Sequence, residues 1–223
     1  MKPIASRAQT SSIRANGFSL VEMSIVLVIF ALLAGGLMMT LTTQQEVQRL
    51  SEARRQLAEI REALIGYAVI NNRLPMPANP TRPSGTANAG LEDTAQGELG
   101  VLPWATLGLP ETDPWGQRFT YRVTNSFNTT FTLTTSGNIT VRDGAANIAT
   151  NLPVIVISHG RNGLGGYRST GIRVPNAAGD ELLNTTGAPN FVSRTHTPDF
   201  DDEAVWLPLP ILMSRMIAAG RLP

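Results

Sequence analysis

The sequence contains no cysteine, and Lys2 is its only lysine. Without cysteine the chain has no disulfide framework, no lipidated cysteine anchor, no thiolate metal site and no cysteine nucleophile. Two histidines in the whole chain are too few for an ordinary zinc site. The glycine-rich stretch at 163–166 has no Lys-Ser/Thr partner, so it is not a phosphate loop. Ser158 and His159 are adjacent, which places them on opposite faces of a strand. No catalytic residues are assigned, and the sequence predicts a protein that is not an enzyme.

Charge is unevenly distributed along the chain. Residues 1–16 contain Lys2, Arg7 and Arg14 and no acidic residue. The rest of the chain has 15 basic and 17 acidic residues, so it is weakly acidic. A weakly acidic chain lacks the basic surface of a nucleic-acid-binding protein. We therefore do not expect nucleic acid as a partner.

An apolar run follows this basic segment. No residue from Met23 to Gln45 is charged, and Met23 to Met39 is strongly apolar. About 20 such residues span the core of a bilayer as a helix. The alternatives are a signal peptide and a buried core helix, but the run is longer than a signal-peptide core and no small-x-small cleavage site follows it. The basic flank favours a retained membrane helix whose N-terminus is cytoplasmic.

One acidic residue, Glu22, stands at the start of the apolar run. It lies four residues after Phe18, on the same face of a helix. If the chain were cut after Gly17, Phe18 would carry a free amine. That amine and the positive end of the helix dipole would both favour a carboxylate at position 22. The alternative is an acid that stays among the lipid headgroups. Intramembrane acids are nevertheless functional candidates.

The string GFSLVE at residues 17–22, placed between a basic leader and an apolar helix, closely resembles the cleavage and methylation motif of prepilins. These are the precursors of type IV pilins and type II secretion pseudopilins. The resemblance implies that a prepilin peptidase cuts after Gly17 and methylates the Phe18 amine. It also implies that Glu22 pairs with the N-terminal amine of a neighbouring subunit during assembly.

Apolar residues keep a helical period beyond the membrane segment. They are Val47, Leu50, Leu57, Ile60, Leu64 and Tyr67. We expect one helix over about 18–70, with this apolar stripe packed on its own domain. The chain then divides into a leader at 1–17, a transmembrane and filament-core helix at 18–40, an amphipathic continuation at 41–70 and a periplasmic head at 71–223.

The head is predicted to be an α+β domain with a small antiparallel sheet packed on the long N-terminal helix. Segment 71–100 is rich in Pro, Gly and small residues and predicts a surface loop. The DPWG sequence at 113–116 resembles the turn that precedes the first strand in major pseudopilins. Alternating segments predict four short strands, RFTYRVT, TFTLTT, NITVR and PVIVIS. Helical spacing near the end predicts a short C-terminal helix, a departure from the major pseudopilins.

An acidic stretch, DFDDEAVW, precedes this helix. In the pseudopilins a similar loop often binds calcium, and the resemblance implies that Asp199, Asp201 and Asp202 are ligands of a calcium ion. Carboxylate oxygens are the ligands that calcium prefers. The alternative is a solvated acidic turn, because Asn162 stands where the family has an earlier aspartate. We assign no other cofactor.

The sequence therefore predicts a structural pilin-like subunit of a type II secretion pseudopilus or a type IV pilus. Its expected partners are the prepilin peptidase, other pilin subunits, an inner-membrane assembly platform and membrane lipid. Two alternatives stay open at this point. One is a minor pilin acting in filament initiation, adhesion or DNA uptake, and the other is a membrane-anchored periplasmic enzyme.

The scarcity of lysine provides a test of processing. Cutting after Gly17 would remove Lys2 and the original α-amine together, and leave one amine, at Phe18. Amine-directed labelling of the denatured protein should modify two sites in the precursor and at most one after maturation. Peptide mapping identifies the sites. Labelled Lys2 in purified filaments would show that the leader is retained, and the predicted processing would then be wrong.

Overall fold

The computed structural model describes residues 17–222, and of residues 34–42 it describes the backbone alone. The predicted leader therefore lies almost wholly outside the described residues. Two compact units, Met1–Glu46 and Val47–Pro223, divide the chain. The helices are α1 Leu20–Asn71, α2 Trp104–Leu107, α3 Gly179–Leu183 and α4 Leu209–Ala218, with a 3-10 helix at Asn125–Phe127. The strands are β1 Leu99–Val101, β2 Gln117–Arg118, β3 Thr120–Val123, β4 Ile139–Asp143, β5 Ala146–Leu152, β6 Val154–Ser158, β7 Tyr167–Arg168, β8 Asn190–Val192 and β9 Glu203–Leu207.

Helix α1 confirms the predicted long helix, with bounds shifted by one or two residues. It ends where Asn72 adopts a positive φ of 55°, a conformation that terminates helices and that asparagine tolerates. Leu57, Ile60 and Leu64 are buried, as the apolar stripe predicted. Val47 is 63% exposed, so its assignment to the packed stripe was wrong.

The apolar side chains at the start of α1 are all exposed in the isolated chain. From Phe18 to Leu33 none is buried, and Leu20 is 87% exposed. Within the described residues, no helix combines the length and hydropathy needed to cross a membrane. The predicted transmembrane segment 18–40 includes residues 34–40, whose side chains lie outside the described part of the chain.

A four-stranded antiparallel sheet with the order β1-β3-β6-β9 forms the centre of the second unit. Strand β6 is buried along its whole length. Its side chains alternate between the two faces of the sheet. Val154 and Val156 pack with the buried face of α1 and with α4. Ile155 and Ile157 pack on the opposite side with residues of β4 and β8.

The opposite side of the central sheet is covered by a second sheet with the order β5-β4-β8. Its β4–β8 pair is parallel, which departs from the all-antiparallel prediction. Strands β2 and β7 form a separate two-stranded pair. The predicted strand TFTLTT is wrong, because Thr132–Thr135 form a turn closed by a backbone hydrogen bond of 3.1 Å. Predicted strands at 118–124, 138–142 and 153–158 correspond to β2–β3, β4 and β6.

Segment 71–100 is more closely packed than a surface loop. Leu74 and Ala78 are fully buried, and Ala78 exchanges backbone hydrogen bonds with Val101 at 2.9 and 3.1 Å. Glu92 accepts hydrogen bonds from Tyr67, Arg73 and the Met76 amide at 2.5–3.0 Å. Burial raises the pKa of the Glu92 carboxyl, but these donors outweigh it and lower the pKa below its usual value. The segment is thus tied to the end of α1.

Arg118, on β2, joins this segment to the β2–β7 pair. Its side chain is fully buried and donates to Glu111 at 2.7 and 2.9 Å. It also donates to the carbonyl oxygens of Pro80, Arg82 and Ser169 at 2.9–3.1 Å. The guanidinium lies 4.6 Å from the centroid of the Trp104 ring. One side chain therefore satisfies acceptors from three separate segments.

Removal of this guanidinium should destabilise the folded head. Arg118→Met leaves Glu111 and three carbonyl groups without their donor, and breaking a buried ion pair costs about 3–5 kcal/mol. Thermal unfolding of the detergent-solubilised chain measures the loss. Arg142→Met, at an exposed arginine, is the control and should change stability by less than about 0.5 kcal/mol. Equal losses in the two variants would contradict the role assigned to Arg118.

Candidate functional site

The first candidate site is the start of α1. Glu22 lies in the first turn, where the positive end of the helix favours a carboxylate. Its Oε2 is 3.5 Å from the backbone amide nitrogen of Ser19, the arrangement of a loose capping box. Phe18 is 74% exposed. The carboxylate and the predicted new N-terminus thus lie at the same end of one helix, and both face solvent in the isolated chain.

Nothing in the fold requires a glycine at position 17. A Cβ placed on Gly17 would meet no atom within 4 Å. The residue has no positive φ of the kind that excludes other side chains. Neither sterics nor backbone conformation therefore explains the glycine, and recognition by another protein is the remaining physical reason for it.

The second candidate site is an acidic cluster in the head. Carboxylate oxygens of Glu181, Asp201 and Asp202 lie within 4.8 Å of one another. Glu181 is on α3, and the two aspartates precede β9. Gly160 permits this close approach, because its φ is +58° and a Cβ there would lie 2.3 Å from the Asp201 carbonyl oxygen.

Polar donors orient all three of these carboxylates. The Asn162 backbone amide donates to Asp201 at 2.9 Å, and the Asn162 side-chain amide donates to Glu181 at 2.7 Å. Asn184 donates to Oδ2 of Asp202 at 2.8 Å. Asn162 stands where an aspartate was expected. It donates hydrogen bonds to two carboxylates of the cluster and contributes no carboxylate of its own.

Asp199, one of the predicted calcium ligands, lies outside this cluster. Its side chain is 84% exposed, and its Oδ1 accepts a hydrogen bond from Thr197 at 2.8 Å. The sequence missed Glu181 because it lies 20 residues before Asp201, in a five-residue helix, with no motif that connects the two. The fold of the residues between them brings Glu181 close to the two aspartates.

The electrostatics of the cluster favour a bound cation. Burial and the neighbouring acids raise the pKa values of the Glu181 and Asp201 carboxyls above their usual range. Oδ1 of Asp201 and Oδ1 of Asp202 are buried without a hydrogen-bond partner. Unsatisfied buried acceptors are costly, and a hard divalent cation would satisfy both of them. The donor set of Glu181, Asp201 and Asp202 therefore fits calcium chemistry.

The nearby serine and histidine do not form a catalytic pair. Ser158 donates to Asp113 at 2.6 Å, which attaches the DPWG turn to β6. Nε2 of His159 lies 2.7 Å from the Thr120 hydroxyl, and its Nδ1 lies 3.5 Å from Asp202. His159 and Ser158 are fully buried. These contacts connect β3, β6 and β9 in the interior of the head.

Comparison with known proteins identifies the N-terminal region. The prokaryotic N-terminal methylation motif matches residues 13–38. That motif is the signature of prepilins of the type IV pilin and pseudopilin type. This chain therefore carries a prepilin signature, which confirms the resemblance found in the sequence. No curated protein and no solved structure is significantly similar to the chain.

The raised pKa values predict how stability depends on pH. A carboxyl whose pKa is higher in the folded state than in the unfolded state destabilises the fold when it is ionised. In a chelator, the contribution of these two carboxyls to stability should therefore rise as the pH falls from neutral toward the ordinary values of 4.5 for Glu181 and 3.8 for Asp201. Melting temperatures at several pH values measure this. Glu181→Gln combined with Asp201→Asn should flatten the profile, and an unchanged profile would contradict the assignment.

Proposed function

We propose that this chain is a structural, pilin-like subunit of a type II secretion pseudopilus or a type IV pilus. The observation that carries the proposal is the start of α1, where a prepilin motif leads into a helical segment whose apolar side chains are all exposed as far as Leu33. Such a surface is not stable in water and needs a covering partner. Lipid covers it before assembly, and the helices of other subunits cover it in the filament.

Processing precedes assembly in this scheme. A prepilin peptidase cuts after Gly17 and methylates the Phe18 amine. The chain is held in the inner membrane by residues 18–40, with its N-terminus in the cytoplasm and its head in the periplasm. An inner-membrane assembly platform then transfers it from lipid into the filament.

Glu22 directs the transfer. A carboxylate is costly in hydrocarbon and gains from pairing with an amine there. An α-amine titrates near pH 7.7–8.0 in model compounds, so the N-terminus of a neighbouring subunit provides a positive partner. The capping contact of Glu22 to Ser19 is long at 3.5 Å, and therefore leaves the carboxylate free to exchange partners.

The acidic cluster supports a second, subordinate proposal, that the head binds a calcium ion. The ligands are Glu181, Asp201 and Asp202, with Asn162 and Asn184 orienting them. Binding would neutralise carboxylates that burial destabilises, and would hold α3 against the segment before β9. The ion therefore serves a structural role in a subunit that has no catalytic residues assigned.

Whether the chain belongs to a secretion pseudopilus or to a pilus, and whether it is a major or a minor subunit, depends on the assembly machinery that it joins. A minor pilin would show the same motif and be found in substoichiometric amounts. A membrane-anchored enzyme would retain its leader and would not need Glu22. Quantifying the chain in sheared filaments distinguishes the two kinds of pilin, and intact mass distinguishes both from the enzyme.

Glu22→Ala tests the assembly role. Membrane insertion should be unchanged or improved, because a charge is removed from the apolar segment. Recovery in sheared filament fractions should fall about tenfold or more, since a lost ion pair in a dry environment is worth more than about 1.4 kcal/mol. Glu62→Ala, on the exposed face of the same helix, is the control. Equal recovery of the Glu22 variant and the wild type would contradict the proposal.

Calcium titration tests the cation site. A ligand that binds only the folded state stabilises it by RT ln(1 + [L]/Kd), or about 2.7 kcal/mol at one hundred times Kd. The melting temperature should therefore rise in millimolar calcium and return in chelator. Asp202→Asn should abolish the shift, whereas Asp199→Asn should preserve it. Loss of the shift in both variants, or in neither, would contradict the revised ligand set.

A further inference from the structure

An open pocket of about 330 Å³ lies beside the acidic cluster. Asn162, the start of α3 and the loop that contains Arg194 and Asp199 form its walls. Arg194 is held rigidly, because it donates to Asp180 at 2.7 Å and its guanidinium lies 4.4 Å from the Phe200 ring centroid. The pocket is therefore a preformed feature of the head.

The pocket has an excess of negative charge. Three carboxylates, those of Asp180, Glu181 and Asp199, line it against the single guanidinium of Arg194. Arg194 is already paired with Asp180, whereas Asp199 lies 3.9 Å from Arg194 and is 84% exposed. If Glu181 is bound to a cation, the other two carboxylates still share the single guanidinium of Arg194, so the pocket keeps a net negative charge. The pocket thus fits a positively charged group from another molecule.

Helix α4 presents the complementary charge. From Ala204 to Pro223 the chain contains Arg215 and Arg221 and no acidic residue. Both arginines are exposed, and neither side chain makes a hydrogen bond or ion pair to another described residue. Ile211 and Ile217 on the same helix are 45% and 47% exposed. Exposed arginine beside apolar side chains is the composition typical of protein interfaces.

These two surfaces belong to opposite faces of the central sheet. Helix α4 packs through Leu212, Met213 and Met216 into the cluster that contains Val154 and Val156. Strand β8 packs through Phe191 into the cluster with Ile155 and Ile157. Asn184, at the end of α3, exchanges hydrogen bonds with the Val192 backbone at 2.8 and 3.1 Å. The pocket beside α3 therefore lies with the β8 side of the sheet, away from α4.

We infer that α4 of one copy docks against the acidic pocket of a second copy, with Arg215 and Arg221 pairing to Asp199 and Asp180. Two different surfaces on opposite faces make this a head-to-tail contact, which can propagate without closing. The inference rests on the proposed filament function and deepens it, because it assigns a contact between heads in addition to the packing of α1. It also gives Asp199 a role outside the cation site.

Disulfide trapping tests the contact directly, because the native chain has no cysteine to interfere. Ser214→Cys places a thiol on the exposed face of α4, and Ala178→Cys places one at the pocket rim. Neither native side chain makes a hydrogen bond to a described residue. The two are introduced together in the full-length chain, filaments are oxidised, and the products are separated without reductant.

The head-to-tail contact should produce a ladder of dimers, trimers and longer species from the double variant. Each single variant should remain monomeric, since a disulfide needs Cα atoms within about 7 Å. The control pairs Ser214→Cys with Ala145→Cys, an exposed position in the turn between β4 and β5, and should give no ladder. Intact filaments without a ladder, or dimers from a single variant, would overturn the inference and leave the filament function standing. Absence of filaments from the wild-type chain would overturn the proposed function, and this contact with it.

Charge reversal gives a second readout. Asp199→Arg and Arg215→Asp should each lower the filament yield about two- to fivefold, as expected for loss of one partly exposed ion pair per contact. Combined in one chain, the two changes recreate the pair with reversed sign and should restore the yield. Additive losses in the double variant would show that the two residues do not meet.

Discussion

The packing of α1 on the central sheet is the contact on which the rest of the structure depends. Leu57, Ile60 and Leu64 bury one face of the helix against Val154 and Val156, and each buried side chain contributes about 1.5–3 kcal/mol. This single helix has two environments along its length. Its second half is amphipathic and packs on the head, whereas the apolar side chains of its first turns, as far as Leu33, are exposed in the isolated chain. The first half therefore depends on partners that the chain itself does not supply.

Polar contacts then hold the irregular parts of the head in place. Arg118 and Glu92 connect the segment after α1 to the β2–β7 pair and to the helix end, and Asp113 attaches the DPWG turn to β6. Arginine suits these positions because its planar group donates in several directions at once. With lysine absent after Lys2, the charged donors among these contacts, Arg73 and Arg118, are both guanidinium groups. The long loops thereby become rigid enough to position the acidic cluster and the pocket.

The acidic cluster and the pocket share a wall, and their charges are connected. Glu181 belongs to both, and Asn162 contacts Glu181 at 2.7 Å while lining the pocket. A cation at the cluster would neutralise Glu181 and order the start of α3, where Asp180 lies. Calcium in the environment would thus influence the surface that we assign to contact between subunits. Structural cation binding and filament cohesion would in this way reinforce each other.

Sequence alone determined the features that depend on local pattern. The motif at 17–22, the long helix, the α4 helix and the strands β3, β4 and β6 follow from short-range periodicity and turn residues. The short strands β1, β7 and β8 have two or three residues each and form only because partners lie beside them. The composition of the acidic cluster likewise depends on tertiary structure, because Glu181 and Asp201 are distant in sequence, whereas Asp199, only two residues before Asp201, is 84% exposed and lies outside the cluster. Residues that are distant in sequence but close in space have no local sequence pattern that identifies them. The packing of the elements between them determines their proximity.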